Sequence, residues 1–359
     1  MAHRGSYLKR FEKFGTDRVA VFASVIAILL TSLLISSLDL ISGRASLDPS
    51  FTQARPTTSR VSTSSDKKTV VICMSICGPN GPEALISVKS ALLHKSNQHD
   101  YEFHFFTDES EGVKAEFIDK MLDVGKGKPM ENVALEFHSI DISKIPNLFK
   151  LCSTNRLLIP QELSSNINEY IYVDTDVLWL QDPADLFQHF SDFTADQEIG
   201  MAYEIESSEK IGRYHTIPQG ERKFYGPTGL NAGIGMYKVR DKTKMWEDVE
   251  KVIQKHKDNL PLGDQDVLND YLAHHPLKFY KLACHWNRRT DSGCVPGTQG
   301  ILHGNRGVFY GALEPNNEYA LRWNLVKALP FEGFPTVNSL EPAESRANLR
   351  EETAGLLMY

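Results

Sequence analysis

Two aspartates one residue apart, Asp174 and Asp176, stand inside the run Glu169-Tyr-Ile-Tyr-Val-Asp174-Thr-Asp176-Val-Leu-Trp-Leu180. In the middle of a strand they would share a face and repel at short range. Where a strand ends in a crevice, the same pair can grip one divalent cation whose remaining positions take phosphate oxygens. Magnesium and manganese favour such hard oxygen ligands. An Asp-x-Asp pair arises easily in an acidic chain, and a turn carrying two solvated acids is the plainer reading. The apolar residues on both sides favour the strand end.

Further along lie groups that suit the same chemistry. Gly226-Pro-Thr-Gly-Leu-Asn231-Ala-Gly-Ile-Gly-Met-Tyr237 sets glycines around one asparagine and runs into a short strand. Glycine lets a ligand approach the backbone, and the Asn231 amide both donates and accepts toward a sugar hydroxyl. Leu262-Gly-Asp264-Gln265-Asp266 opens a helix, with Asp264 placed as an N-cap unless it serves a ligand. Gly300-Ile-Leu-His303-Gly-Asn-Arg306-Gly offers an imidazole after an apolar run, then a cation suited to phosphate. Arg156, shortly before the aspartate strand, is either a solvated helix-face arginine or a partner of that site. Tyr225, Trp286, Tyr310 and Trp323 could stack on a sugar, or simply be core or rim.

The elements that must position these groups read as an α/β fold. Thr69-Val-Val-Ile-Cys-Met-Ser-Ile-Cys77 is a continuous apolar run of buried-strand type. After a turn at Gly78-Pro-Asn-Gly-Pro82, Leu85, Val88, Ala91 and Leu92 recur at helical spacing, and Tyr101 to Thr107 forms the next strand, ending at Asp108. A β-α-β start favours a mostly parallel sheet with right-handed crossovers. Ligands of such sheets lie at the carboxyl ends of strands, where Gly78, Asp108 and Asp174 fall. Leu148 to Pro160 reads as a helix stopped by its proline.

The 359 residues suffice for one large α/β domain, and 39 basic against 46 acidic residues argue against an electrostatic nucleic-acid binder. Residues 19–38 contain no charged side chain and, as a helix, would span about 30 Å, one bilayer core. Arg4, Lys9, Arg10, Lys13 and Arg18 precede them, so the positive-inside rule predicts a type II signal anchor. The expected organisation is a cytoplasmic tail at 1–18, the anchor at 19–38, a Ser/Thr-rich lumenal stem at 39–68, a catalytic domain at 69–335 and a charged tail at 336–359. All five cysteines fall on the lumenal side, where disulfides are permitted. Cys284 and Cys294 would close a short loop, Cys73 and Cys77 read as core, and the odd count leaves at least one thiol unpaired if no second chain is involved.

Taken in order, Phe149-Lys-Leu-Cys-Ser-Thr-Asn-Arg156, Tyr172-Val-Asp-Thr-Asp-Val177, Tyr225-Gly-Pro-Thr-Gly-Leu-Asn231-Ala-Gly233, Gly263-Asp-Gln-Asp266, Cys284-His-Trp-Asn287 and His303-Gly-Asn-Arg-Gly307 resemble glycosyltransferase family 8, closest to the glucoside xylosyltransferases of the secretory pathway. The resemblance covers about residues 70 to 330. It implies a single nucleotide-diphospho-sugar transferase domain of GT-A type, with a mostly parallel mixed sheet behind the membrane helix. It further implies a UDP-sugar donor and a manganese or magnesium ion on Asp174, Asp176 and His303. Asn231 and Asp264 match residues that hold the donor sugar, Gln265 the residue on the far face of the anomeric carbon, and Arg156 a donor-contacting arginine. Arg306 would help to hold the diphosphate. Such enzymes retain the anomeric configuration, so the expected reaction is α1,3 transfer of xylose from UDP-xylose to O-linked glucose on EGF-like repeats, in the Golgi or endoplasmic reticulum.

Two positions depart from the family pattern. Many members carry a lysine six residues after the histidine, where this chain has Phe309, and Ala232 stands where serine is common. Xylose lacks the C6 hydroxymethyl of glucose, a difference worth only about 1–3 kcal/mol. UDP-glucose and UDP-galactose therefore stay open as donors, with another lumenal glycan as acceptor. Two rival classes are a haloacid dehalogenase-type phosphatase, whose nucleophile motif resembles Val-Asp174-Thr-Asp176-Val, and a non-catalytic lumenal binding protein on the same fold.

Overall fold

The computed structural model describes residues 67–77, 80–107, 132–141, 151–206, 213–218, 220–256, 259–295, 300–311 and 317–328. The expected anchor at 19–38, the stem up to residue 66 and the tail at 336–359 lie outside the described residues, as do Gly78 and Asp108. No described helix is long and apolar enough to cross a membrane.

The predicted β-α-β start is present. Strand β1 (Thr69–Ile76) leads through helix α1 (Gly81–His94) to β2 (Asp100–Thr107), which pairs with β1 in parallel register from Thr69↔Asp100 to Ile76↔Thr107. Pro82 stands in the first turn of α1, where its missing N–H has no helical partner to lose. Edge strand β3 (Val133–Ser139) extends the parallel set. On the other side of β1 lies β4 (Glu169–Val173), again parallel; β7 (Leu230–Lys238) then runs antiparallel against it. With β6 (Ile199–Tyr203) and β8 (Phe279–Lys281), the order is β3-β2-β1-β4-β7-β6-β8, a mixed, mostly parallel sheet.

A second, two-stranded sheet sits beside this one. In it β5 (Val177–Trp179) pairs antiparallel with β9 (Ile301–His303), Val177 opposite His303. The small sheet shares the main core through Val177, Trp179 and Ile301 and rests on a second cluster through Leu178 and Leu302. The main core packs Ile72, Phe103, Ile171, Tyr172, Ile234 and Met236 among others, whereas Ile86, Leu178, Leu302, Val308, Phe309 and Trp323 form a smaller cluster beneath β5 and β9. Phe309 stacks on Trp323 with ring centroids 4.3 Å apart. The position of the absent lysine thus faces an apolar interior, where an ammonium group would be desolvated.

Three local expectations are corrected. The helix predicted up to Pro160 is broken into Leu151–Thr154, a 3-10 turn at Asn155–Leu157 and a new helical turn at Ile159–Glu162. Pro160 starts that last turn rather than stopping a helix, because a first-turn residue needs no N–H partner. Asp264 is not an N-cap: Gly263, at φ 61°, caps the helix Asp264–His274, and the Asp264 carboxylate is drawn elsewhere. Cys77 is not a core thiol but is bonded to Cys152, while Cys284 bonds Cys294 as expected and Cys73 is left buried and free.

Candidate active site

The carboxyl ends of β1 and β4, the start of β7 and the end of β9 surround one cleft of ≈ 820 Å³. Its lining includes every residue given a donor or cation role from the sequence, namely Arg156, Asp174, Asp176, Asn231, Asp264, Gln265, His303 and Arg306, and none of the four aromatics.

Asp174 follows β4 directly, and Asp176 precedes β5, so the turn between two strands points both carboxylates into the cleft. Pairing of β5 with β9 brings His303 opposite them. His303 Nε2 lies 3.7 Å from Asp174 Oδ2 and 3.5 Å from Asp176 Oδ1, and one ligand atom from each of the three residues falls within 4.8 Å of the others. Two carboxylate oxygens and an imidazole nitrogen suit a hard divalent cation, with further positions open to oxygen ligands. Among the described residues this is the one group with such a donor set. Burial pushes the Asp174 carboxyl above the ordinary range and nearby Asp176 adds to this, while Arg156 and His303 pull it back. Glu83, at the start of α1, is raised for the same two reasons, burial and then Asp176. A cation at this point would relieve the mutual repulsion.

Arg156 is buried, with its guanidinium spread between two acids. Nη2 donates to Asp174 Oδ1 at 2.7 Å, Nε reaches Asp264 Oδ2 at 2.6 Å, and Nη1 donates to the Ala232 carbonyl. It also lies over the Tyr172 ring, 4.4 Å from its centroid. Burial works against this charge, but Asp174 and Asp264 outweigh burial and hold the guanidinium firmly protonated. The arginine therefore fixes the positions of two cleft carboxylates. Asp264 accepts a further hydrogen bond from Ser153 Oγ at 2.7 Å, which explains why it leaves the capping position to Gly263.

Opposite this pair, Gln265 Oε1 accepts from the Ala232 N–H at 3.1 Å, and its Nε2 donates to Glu204 Oε2 at 3.4 Å. Asn231 Nδ2 donates to the same Glu204 oxygen at 3.0 Å. Arg306 takes a left-handed backbone, φ 60°, and pairs with Asp291 at 2.7 Å at the edge of the cleft. Of the four aromatics, Trp286 and Trp323 are core, Tyr225 packs on Phe279 with centroids 4.3 Å apart, and only Tyr310 is strongly exposed.

Sequence reasoning missed Glu204, Asn287 and Glu83. Glu204 follows the apolar run of β6, so the strand-end argument applied to Asp174 would have found it. Asn287 lay in a matched segment, but its partners Asn231 and His303 are distant in the chain. Glu83 accepts from Thr175 Oγ1, between the two aspartates, and from Tyr310 OH at 2.7 Å. Nothing in its local sequence announces either contact.

A family model described as nucleotide-diphospho-sugar transferase matches residues 133–286. The crystal structure of mouse xyloside xylosyltransferase 1 in its apo form superposes with a TM-score of 0.50 at 17% identity, covering 67% of this chain and 98% of that one. Fold and cleft together define a nucleotide-diphospho-sugar transferase of GT-A type. Glucoside xylosyltransferase 1 of Gallus gallus is 30% identical over 301 residues, which cover 77% of this chain and 67% of the relative, and glucoside xylosyltransferase 2 of Xenopus laevis is 31% identical over 265 residues. The chain belongs to the glucoside xylosyltransferase family. It spans 60% of the length of the Xenopus relative. The phosphatase reading is not favoured, since the relatives and the family model are those of sugar transferases.

Proposed function

We propose that this protein is a retaining glycosyltransferase that moves xylose from UDP-xylose, in α1,3 linkage, to O-linked glucose on EGF-like repeats. The observation that carries the reading is the convergence of Asp174, Asp176 and His303 on one cleft with Asn231, Asp264 and Gln265. Manganese, or magnesium in its place, fits the donor set; when bound it neutralises charge on the departing diphosphate. The protein supplies the rest. Asp174, Asp176 and His303 hold the cation, and Arg306 stands at the rim where a phosphate oxygen could exchange for its Asp291 partner. Asp264 and Gln265 present a carboxylate and an amide, already oriented by Arg156 and the Ala232 N–H, to the sugar hydroxyls and the anomeric centre. Such preorganisation favours a transition state with positive charge on the sugar. The acceptor hydroxyl attacks from the leaving-group side, which preserves configuration.

Anchoring in the Golgi or endoplasmic reticulum membrane through residues 19–38, with the cleft in the lumen, is part of the same proposal. The basic N-terminal flank and the two disulfides, which persist in an oxidising compartment, support it.

A panel of UDP-sugars with a β-glucoside acceptor tests donor and acceptor together. UDP-xylose should be used, and EDTA should stop transfer. Asp176→Ala should lower the rate about 10²–10³-fold or more while the fold persists. Use of UDP-glucose or UDP-galactose with UDP-xylose inert would end the xylosyl reading and leave only the family.

A further inference from the structure

The Gly233 backbone N–H can only donate, and from it the orientation of a line of buried amides follows. It points at Asn231 Oδ1, 3.1 Å away, so that atom is the amide oxygen. The other end of Asn231 agrees, since its Nδ2 lies 3.0 Å from a carboxylate oxygen of Glu204, which accepts. Asn287 approaches the same Asn231 Oδ1 at 2.9 Å and must therefore turn its Nδ2 toward it. The Asn287 oxygen is then left facing His303 Nδ1, also at 2.9 Å, and that ring nitrogen must carry the proton. In the neutral ring the lone pair of His303 consequently resides on Nε2, the atom that faces Asp174 and Asp176. Asn231, Asn287 and His303 are 6%, 1% and 3% exposed, so water has little room to supply an alternative partner.

We propose that Asn287 is a positioning residue that holds His303 in its Nδ1–H tautomer and joins the cation site to the sugar-facing wall at Asn231. In the opposite tautomer His303 would aim an N–H at the two carboxylates and could not ligate a cation. Neutral imidazole ligands depend on the partner of their second nitrogen for orientation and basicity. Here that partner is an amide shared with a residue of the sugar wall, so disturbing Asn231 disturbs the cation ligand although the two do not touch. The inference rests on reading this cleft as the cation and nucleotide-sugar site.

Two measurements on the full-length, detergent-solubilised chain test it. In metal-free protein labelled with ¹⁵N-histidine and held at a pH high enough that the ring is neutral, the His303 signal, assigned by its loss in His303→Gln, should report a protonated Nδ1 and a bare Nε2. Asn287→Ala should shift that signal toward the other tautomer. Manganese alone, titrated by electron paramagnetic resonance without any sugar, should bind about 10–100-fold more weakly to Asn287→Ala. Asn231→Ala should weaken it in the same direction. A wild-type His303 protonated at Nε2, or a folded Asn287→Ala with unchanged manganese affinity and spectrum, would overturn the proposal. If Asn287→Ala does not fold, the wild-type tautomer decides it. Absence of manganese binding to the wild type would instead bring down the cation-site reading beneath it.

Discussion

At the scale of single residues, the site depends on how closely β7 passes behind the proposed cation ligands. A Cβ added to Gly233 would collide with the His303 ring, with Nδ1 and Nε2 both at 2.7 Å. The fully buried ring cannot retreat without breaking its contact with Asn287, so the glycine is required by close approach rather than by backbone conformation. Gly233→Ala should therefore abolish manganese binding and transfer while leaving the far-UV circular dichroism near wild type; retained tight binding would show that His303 is not a ligand. This residue was legible in the sequence only as one of several glycines near Asn231. The chemically distinctive side chains, Asp174, Asp176 and His303, could be read from type and spacing. The amides that orient them could not, because an amide declares its role only through partners supplied by distant segments.

At the scale of elements, the early β-α-β unit was legible because its apolar periods are clean, whereas β3 at the edge was not. That strand alternates intermediate and exposed residues and carries Glu136 and His138. Its contact with β2 includes a histidine pair, buried His104 Nδ1 to half-buried His138 Nε2 at 2.8 Å, with Glu102 beside His104 at 3.5 Å and Glu136 and Glu162 near enough to act on the pair. Burial, then His138, pushes His104 down to about 4, against the pull of Glu136; burial lowers His138 as well. Both resist protonation in the fold more than in the unfolded chain. The stability they contribute is present above about pH 6.5 and is lost as pH falls toward about 4. Urea unfolding should show the difference between wild type and His104→Phe shifting by about 1–2 kcal/mol from pH 7 to pH 5, solvent screening allowed for. A pH-independent difference would mean that the pair does not titrate in this way.

At the scale of the whole molecule, two covalent links divide the work unequally. Cys284–Cys294 closes a segment of sequence separation 10, and that closeness is what made it legible. Cys77–Cys152 spans 75 residues and ties the end of β1 to the turn that carries Ser153 and Arg156, a partnership that only the parallel sheet order creates. Chain-entropy reasoning gives about 4 kcal/mol for the long link and about 3 for the short one. The double variant Cys77→Ser, Cys152→Ser should accordingly lose more thermal stability than Cys284→Ser, Cys294→Ser, and should also weaken donor binding, since it frees the Arg156 support. Equal losses in calorimetry would argue against the entropic account.

The small β5–β9 ribbon also bears on how the polypeptide matures. During synthesis Asp174 and Asp176 emerge with the fourth strand of the sheet, while their imidazole partner arrives near the far end of the described chain, after β6, β7 and β8 have been made. Only when Ile301–His303 docks against Val177–Trp179 are all three donor side chains in one place. On the proposed reading, three-donor capture of a cation would thus act as a certificate of completed synthesis: a chain cut short before β9 would keep the two carboxylates and lack the imidazole that completes the set.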